Sequence, residues 1–355
     1  IKQAFSVTAT DRAVIWLPPY HDMGLIGGIL QPLYAGIDCF LLPPISFLQR
    51  PFRWLKAISH YQATISGGPN FAYDLCLRKI NDAQRDSLDL SRWRVAFNGA
   101  EPVRVETMVR FSERFAPCDF QSQAFKPCYG LAEGTLIASG GTKGSAPLYA
   151  TLQKTSLKQN QVVSAPETPK HEEIQTLVSS GQTLGNQEIV IVQPDSATQL
   201  PPNQIGEVWL AGGSIAQGYW NRPDDTVQTF HAYLANGEGP YLRTGDLGFL
   251  RDGELFITGR TKDLIIIRGH NHYPQDIELT VEQCHPALRK GCVAAFSIEV
   301  DDEECLVVVQ EVYINQPLDA LAVVLAIRQA VAKAHDVQVH AAVLIEPRTI
   351  PKTSS

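Results

Sequence analysis

An α/β fold is predicted by two alternations of pattern and one change of texture. Through the first third of the chain, short apolar runs alternate with amphipathic stretches, the signature of a mostly parallel sheet with helices on its faces. From Glu188 to Thr258 the runs become period-two and are separated by Pro, Asn and Gly, which predicts a small antiparallel, β-barrel-like subdomain. After Gly259, a strand, a helix, a hairpin, a helix and a final strand predict a small α+β domain of roughly 90 residues, a normal domain size.

Taken in order, Ala13–Leu17 is a strand, Leu25–Tyr34 a helix, Asp38–Leu42 a strand, Pro51–Tyr61 a helix and Ala63–Ser66 a short strand. A longer helix is expected over Phe71–Ala83, then a strand at Arg94–Asn98 and a helix over Val103–Phe115. Between Ala146 and Glu173 the composition turns to Gln, Ser, Thr, Lys and Pro with little periodicity, which reads as an insertion or surface loop. Period-two strands follow at Glu188–Val192, Gly206–Ala211 and Glu254–Thr258. In the last part, Leu264–Ile267 is a β-branched strand, and Pro274 opens a helix with Asp276 and Glu278 in its first turn. Val293–Val300 and Leu306–Tyr313 flank Asp301-Asp302-Glu303-Glu304 as a hairpin, and Leu318–Ala334 is a helix. Val337–Ile345 closes the domain as a strand.

The chain has 355 residues, long enough for two domains with a sizeable core in the larger. Hydrophobic content of 44% and charged content of 19% are those of a globular protein. A net charge of −7, with no basic cluster among aromatics, argues against a nucleic-acid partner. The seven cysteines form no C-x-x-C pair, which disfavours a disulfide framework and structural zinc and fits a reducing cytoplasm. Cys39 and Cys292 lie in apolar runs and read as buried thiols. No apolar run reaches the length of a membrane span. The start, Ile1-Lys2-Gln3, carries no initiator Met and no signal pattern, and reads as a cut.

Gly259-Arg260-Thr261-Lys262-Asp263, running into Leu264-Ile265-Ile266-Ile267, places charge against a buried strand at a domain junction. A salt-bridged linker is the plain alternative. In Tyr241-Leu242-Arg243-Thr244-Gly245-Asp246, an Asp after a Thr-Gly turn is ordinary turn chemistry. In nucleotide sites, however, an acidic residue near a strand end accepts ribose hydroxyls. Tyr129-Gly130-Leu131-Ala132-Glu133-Gly134-Thr135 offers a ring for stacking on a base and a carboxylate for Mg²⁺. Taken alone, Glu133 is a helix-start carboxylate.

In this order and at these separations, the segments resemble the acyl-adenylate-forming superfamily of acyl-CoA synthetases, luciferases and peptide-synthetase adenylation domains. The resemblance is nearest to the fatty acyl-AMP ligases. It is carried by Pro18-Pro19-Tyr20-His21-Asp22-Met23-Gly24, Phe97-Asn98-Gly99-Ala100-Glu101-Pro102-Val103, the Tyr129–Thr135 run and Asn271-His272-Tyr273-Pro274-Gln275-Asp276-Ile277-Glu278. It covers essentially the whole chain. The implied organisation is a large AMP-binding adenylation domain over 1–258, lacking its N-terminal part. Within it, 146–173 is a candidate insertion and 175–258 the β-rich subdomain. A hinge at 259–263 leads to a small C-terminal domain over 264–355.

The resemblance implies a chemistry residue by residue. Gly99, Ala100 and Glu101 form a backbone wall along one adenine face; Tyr129, followed by Gly130, stacks on the other. Glu133 ligates Mg²⁺, Asp246 binds the ribose diol and Arg260 contacts the ribose. Lys262 is the hinge position about which the small domain rotates between two half-reactions. For His21 two readings stand: a residue lining the passage from acyl tunnel to phosphates, or a buried histidine bonded to a backbone carbonyl. The implied reaction uses ATP and Mg²⁺ to convert a fatty acid to its acyl-adenylate with loss of pyrophosphate.

Two departures bear on the chain as given. The family's Gly-rich phosphate loop is expected before Ile1. Pro351-Lys352-Thr353-Ser354-Ser355 resembles the start of a signature whose catalytic lysine is expected further on, so Lys352 is not that lysine and the chain as given is expected to be impaired. Ala132 also stands where many relatives carry a Thr. Fatty acyl-AMP ligases pass the acyl group to the phosphopantetheine of an acyl carrier protein, often feeding polyketide or lipopeptide assembly, and carry an insertion where 146–173 lies. An acyl-CoA synthetase and a non-catalytic nucleotide- or carrier-binding module are the alternatives. Acyl chain length depends on the packing of residues such as Phe71, Leu75 and Ile137.

Overall fold

The computed structural model describes residues 1–141, 144–170, 173–300, 303–313 and 319–351. The chain divides into two compact units: residues 1–151 with 176–257, and residues 152–175 with 258 onward.

The first unit is organised on one sheet. Its parallel half comprises β1 (Arg12–Ile15), β2 (Asp38–Leu41), β3 (Ile65–Gly67), β4 (Val95–Asn98) and β5 (Phe125–Gly130). At β5 the direction changes, because β6 (Ile137–Gly140) pairs with it antiparallel. Gly130 makes that pairing possible: a Cβ there would lie 1.6 Å from the Leu136 carbonyl oxygen, so only glycine fits the approach. A separate ribbon is formed by β7 (Tyr149–Gln153) and β8 (Ile174–Val178). The period-two strands follow as β9 (Gln182–Thr183), β10 (Glu188–Gln193), β11 (Thr198–Gln199), β12 (Gly206–Ala211), β13 (Leu242–Arg251) and β14 (Glu254–Arg260). They are antiparallel where their pairing is described, and they continue the parallel half as one 12-stranded sheet in the order β11-β10-β12-β13-β14-β9-β6-β5-β4-β3-β1-β2.

Helices pack on the parallel half. The stretch expected as one helix over Leu25–Tyr34 is a wide π-helical segment, Met23–Leu30, running into α1 (Gln31–Ala35). After α2 (Pro44–Gln49), α3 (Phe52–Tyr61) buries Trp54, Leu55 and Ile58, the i, i+1, i+4 positions of one face. The helix expected over Phe71–Ala83 is two: α4 (Asn70–Lys79) and α5 (Asp82–Arg85). Ile80 is extended, and Asn81 starts the second helix with a capping box to Gln84. In α6 (Val105–Phe115), Thr107, Met108, Phe111 and Phe115 face inward. An aromatic core of Trp54, Tyr73, Trp93, Phe111 and Phe125 results, with the indole nitrogens of both tryptophans donating to Ser66. Two short helices complete the set before the last domain, α7 (Lys154–Leu157) in the polar stretch and α8 (Pro223–Phe230).

In the second unit, β17 (Leu288–Val300) and β18 (Glu303–Val312) pair antiparallel, and β19 (Val339–Ile345) runs parallel to β18. Helices α9 (Pro274–Cys284) and α10 (Ala320–His335) bury Ile277, Val281, Val323, Ile327 and Val331 in the core they share with this sheet. Asp319 caps α10 by accepting from the Ala322 amide at 3.0 Å. A hairpin of β15 (Ile265–Ile267) and β16 (His270–His272) turns through Arg268 and Gly269, both at positive φ, as a two-residue turn requires. The hairpin tip at Asp301-Asp302, the start at Leu318 and the segment Lys352–Ser355 lie outside the described residues.

Candidate active site

Most of the residues singled out in the sequence lie in the first unit, in or just after β4 and β5 and in the middle of β13. Asn98 closes β4, and the loop after it holds Gly99, Ala100 and Glu101. Ala100 is exposed at φ +67, a conformation costly for a residue with a side chain, which turns the backbone outward. Gly99 is small for a different reason: a Cβ would meet the Cys128 carbonyl at 2.8 Å and its sulfur at 3.0 Å. The loop is stapled by Asn70, 1% exposed. Its Oδ1 accepts from Asn98 Nδ2 and the Arg104 amide, each at 3.0 Å, while its Nδ2 donates to the Pro102 carbonyl at 2.9 Å. Glu101 accepts from the Phe71 amide at 3.3 Å, and burial raises its pKa. Asn70 was not picked out in the sequence; one polar residue at a helix start carries no periodic signal.

Tyr129 and Asp246 meet. The tyrosine hydroxyl donates to Asp246 Oδ2 at 2.7 Å, and both residues are buried, at 9% and 6% exposure. Asp246 sits in β13 directly after Gly245 (φ +72), and Thr244 Oγ1 accepts from its amide at 3.0 Å. The corner is held from β12 by Glu207, which is buried. Its carboxylate accepts from Arg243 Nε and Nη2 at 3.1 and 2.8 Å and from the Gly245 amide at 3.1 Å. Glu207 is the second supporting residue that the sequence did not reveal.

Glu133 lies in a single 3₁₀ turn, Ala132–Gly134, after β5. Its Oε1 accepts from the Tyr219 hydroxyl at 2.7 Å, and its backbone carbonyl accepts from the Ala216 amide at 2.8 Å. Burial, and then the Glu133 carboxylate, push the Tyr219 phenol up to about 12, so it stays a donor. Ala132 is exposed beside it. His21 is half-buried, with Nδ1 2.5 Å from Asp22 Oδ1 and 3.2 Å from the Met23 amide.

Arg260 and Lys262 belong to the second unit, where both are exposed; Arg260 ends β14. The polar stretch contributes residues 152–175 to this unit. Lys158 Nζ donates to the His335 carbonyl at 2.7 Å, a cation on the C-terminus of α10. Asn271 donates its amide to the Lys158 carbonyl at 3.2 Å and its Nδ2 to Asn160 Oδ1 at 2.8 Å; Gln175 Nε2 donates to Asp276 at 2.9 Å.

Two histidines are enclosed in this packing. Burial, then Lys158 and His270, lower His272 to about 4; burial, then Lys154, His272 and Lys158, lower His335 to about 4. The unfolded chain therefore binds more protons than the folded one between the ordinary value of 6.5 and about 4. The stability these neutral rings contribute is complete above about 6.5 and is lost as pH falls toward 4. Thermal unfolding of the second unit is expected to shift to lower temperature across that window, and His272→Gln with His335→Gln to flatten the dependence. A midpoint as pH-dependent in the double variant as in the parent would rule the histidines out as its source.

A large α/β sheet that carries a small-residue loop after β4 and the buried Tyr129–Asp246 pair is the fold of an AMP-binding domain. The chain belongs to the AMP-binding enzyme family, which matches residues 1–220; the Disco-interacting protein 2-like AMP domain matches residues 262–355. It is 51% identical to the medium-chain-fatty-acid–[acyl-carrier-protein] ligase JamA of Moorena producens, covering 100% of this chain and 60% of that protein. It is 40% identical to the ligase TtuA of Teredinibacter turnerae, named for the same activity, covering 96% of this chain and 54% of that protein. A putative fatty-acid–CoA ligase, fadD21 of Mycobacterium leprae, is 42% identical over 98% of this chain and 61% of its own length. A structure from work on the fatty acyl-adenylate ligases of E. coli and L. pneumophila superposes with a TM-score of 0.90 at 34% identity, over 100% of this chain and 62% of that one. The resemblance to fatty acyl-AMP ligases therefore holds, and the chain spans about 60% of the first curated relative. Among the described residues, no helix is long and apolar enough to cross a membrane.

Proposed function

We propose that the protein to which this chain belongs activates a medium-chain fatty acid with ATP and passes the acyl group to the phosphopantetheine thiol of an acyl carrier protein. The observation that carries this reading is the buried Tyr129–Asp246 pair beside the Asn70-stapled loop, in a chain whose relatives JamA and TtuA are named for that transfer. In the first step a carboxylate oxygen attacks the α-phosphorus, and pyrophosphate leaves. In the second, the thiol sulfur attacks the acyl carbonyl and AMP leaves.

Asp246 accepts hydrogen bonds from the ribose hydroxyls. Gly99, Ala100 and Glu101 present backbone to one adenine face, with Tyr129 and Gly130 on the other side of the pocket. Arg260 contacts the ribose, Lys262 is the turning point, and His21 lines the way from acyl chain to phosphates. Glu133 fits a Mg²⁺ ion: Tyr219 fixes one carboxylate oxygen, and Mg²⁺ takes one or two carboxylates with waters and substrate phosphates rather than an all-protein cage. No cluster of three potential metal ligands exists among the described residues. When bound, Mg²⁺ neutralises charge on the phosphates. Seven free cysteines support a cytoplasmic setting.

The test is pyrophosphate release with ATP, Mg²⁺ and a medium-chain fatty acid, followed by transfer to a phosphopantetheinylated carrier protein or to free CoA. Acyl-carrier formation without acyl-CoA is expected. Efficient acyl-CoA formation would assign the chain to the CoA ligases, as the name of the fadD21 relative has it, and no pyrophosphate release would remove the enzymatic reading.

A further inference from the structure

Where the chain leaves β19, a buried carboxylate of the neighbouring strand takes hold of it. Glu311, next to last in β18, is 1% exposed and stands opposite Ile345, the last residue of β19. Its Oε1 accepts from the Ile350 amide at 3.0 Å, and the carboxylate also accepts from the Arg348 amide and the Cys292 thiol. Arg289 Nη1, from β17, pairs with its Oε2. Gln310, fully buried beside it, donates from Nε2 to the Arg289 and Cys292 carbonyls, each at 2.9 Å, and so ties down the irregular stretch of β17 that presents both partners. Arg348 lies at φ +69, a conformation that a residue with a side chain adopts at a cost. Amides around a left-handed residue form a concavity that suits an anion, and here the Glu311 carboxylate fills it.

We propose that Glu311 is a positioning residue: it fastens the turn at Arg348–Ile350 to β18 and so fixes the point from which the chain runs into Pro351-Lys352-Thr353-Ser354-Ser355, the start of the signature whose catalytic lysine is expected further on. The consequence for turnover rests on the ligase reading; the anchor does not. Positive charge is needed where pyrophosphate leaves, because charge on the phosphate oxygens must be stabilised in that step. A lysine on a strand exit held by charge-assisted bonds is aimed before the substrates arrive, whereas one on a loose exit must be ordered during the reaction. By the time the carrier thiol attacks, pyrophosphate has gone, so loosening the exit slows the first step and spares the second. The plain alternative is a buried ion pair that only stabilises the second unit, and its loss would weaken both steps alike.

Two readouts on the protein carrying this chain test it. In Glu311→Ala, residue-resolved exchange of the Arg348 and Ile350 amides is expected to rise about tenfold or more, the scale of a lost hydrogen bond to a charged group, with exchange in α10 unchanged. Single-turnover formation of acyl-adenylate is expected to fall about tenfold, while transfer to the carrier protein from supplied acyl-adenylate keeps the rate of the parent. Arg289→Gln removes the ion pair but leaves both carboxylate oxygens to the amides, and is expected to change either readout by about twofold or less. Glu311→Gln, which has nearly the same shape and keeps one acceptor oxygen, is the variant to read if alanine prevents folding; it is expected to fall between the other two, again with transfer unchanged. Unaltered exchange at Arg348 and Ile350 in Glu311→Ala overturns the anchor, as does an Arg289→Gln variant as loose as Glu311→Ala. Adenylation and transfer that fall together, in Glu311→Ala or in Glu311→Gln, overturn the positioning role in favour of the plain ion pair. If the parent forms no acyl-adenylate the ligase reading fails, and the exchange measurement still decides the anchor.

Discussion

Replacing Asp246 with alanine is expected to lower kcat/KM for ATP in acyl-adenylate formation by about 10²–10⁴-fold, the loss of two hydrogen bonds to a charged group at roughly 1.5–3 kcal/mol each. The carboxylate is 6% exposed and one oxygen is already held by the Tyr129 hydroxyl at 2.7 Å, so it is fixed before nucleotide arrives. Alanine also strands that buried hydroxyl, which costs stability on the order of 1–3 kcal/mol. Two controls separate the effects. Asp246→Asn keeps the shape and an acceptor for Tyr129 but removes the charge, and should retain stability while losing most of the ATP affinity. Tyr129→Phe keeps the carboxylate and removes its brace, and should cost about tenfold or less. An Asp246→Asn variant with an unaltered KM for ATP would remove Asp246 from the nucleotide site, whatever its stability.

The legible part of this fold is where pattern is local. The alternation of strands and helices up to Phe115 is visible because each element buries one face, as in α3 and α6. The break between α4 and α5 was also written in the sequence, as Asn81 and Gln84 at capping-box spacing, but the apolar continuity across Ile80 outweighed it. What local pattern does not carry is pairing between distant segments. Nothing near Gln182 or Thr183 says that β9 lies between β6 and β14. Nor does the polar stretch reveal that Lys158 meets the end of α10, since that contact joins residues 177 positions apart. The site divides in the same way. Asp246, Glu133 and Tyr129 stand out through motif wording, whereas Asn70 and Glu207, which hold the backbone around them, are single polar residues in ordinary surroundings. Two glycines of the site are small because of their packing: a Cβ at Gly99 would meet Cys128, and one at Gly130 would meet Leu136.

Substituting Glu133 by glutamine is expected to slow pyrophosphate release by about 10²–10³-fold at ordinary Mg²⁺, the scale of losing one preorganised charge-stabilising contact. Glutamine preserves an acceptor for the Tyr219 hydroxyl at the position now 2.7 Å away, so the 3₁₀ turn and the Ala216 contact should persist. What disappears is the negative charge. Mg²⁺ dehydrates reluctantly and binds through few protein oxygens, so a single carboxylate weighs heavily in its placement between protein and phosphates. The deficit should therefore shrink as Mg²⁺ is raised, with the Mg²⁺ concentration for half-maximal rate moving upward while KM for the fatty acid stays put. Tyr219→Phe is the matching control: it frees the carboxylate from its brace without removing charge, and should disturb the rate far less than Glu133→Gln. A Glu133→Gln variant whose Mg²⁺ dependence superimposes on that of the parent would return Glu133 to the plain role of a turn carboxylate. The metal would then have to be held by the phosphates and by oxygens elsewhere in the protein.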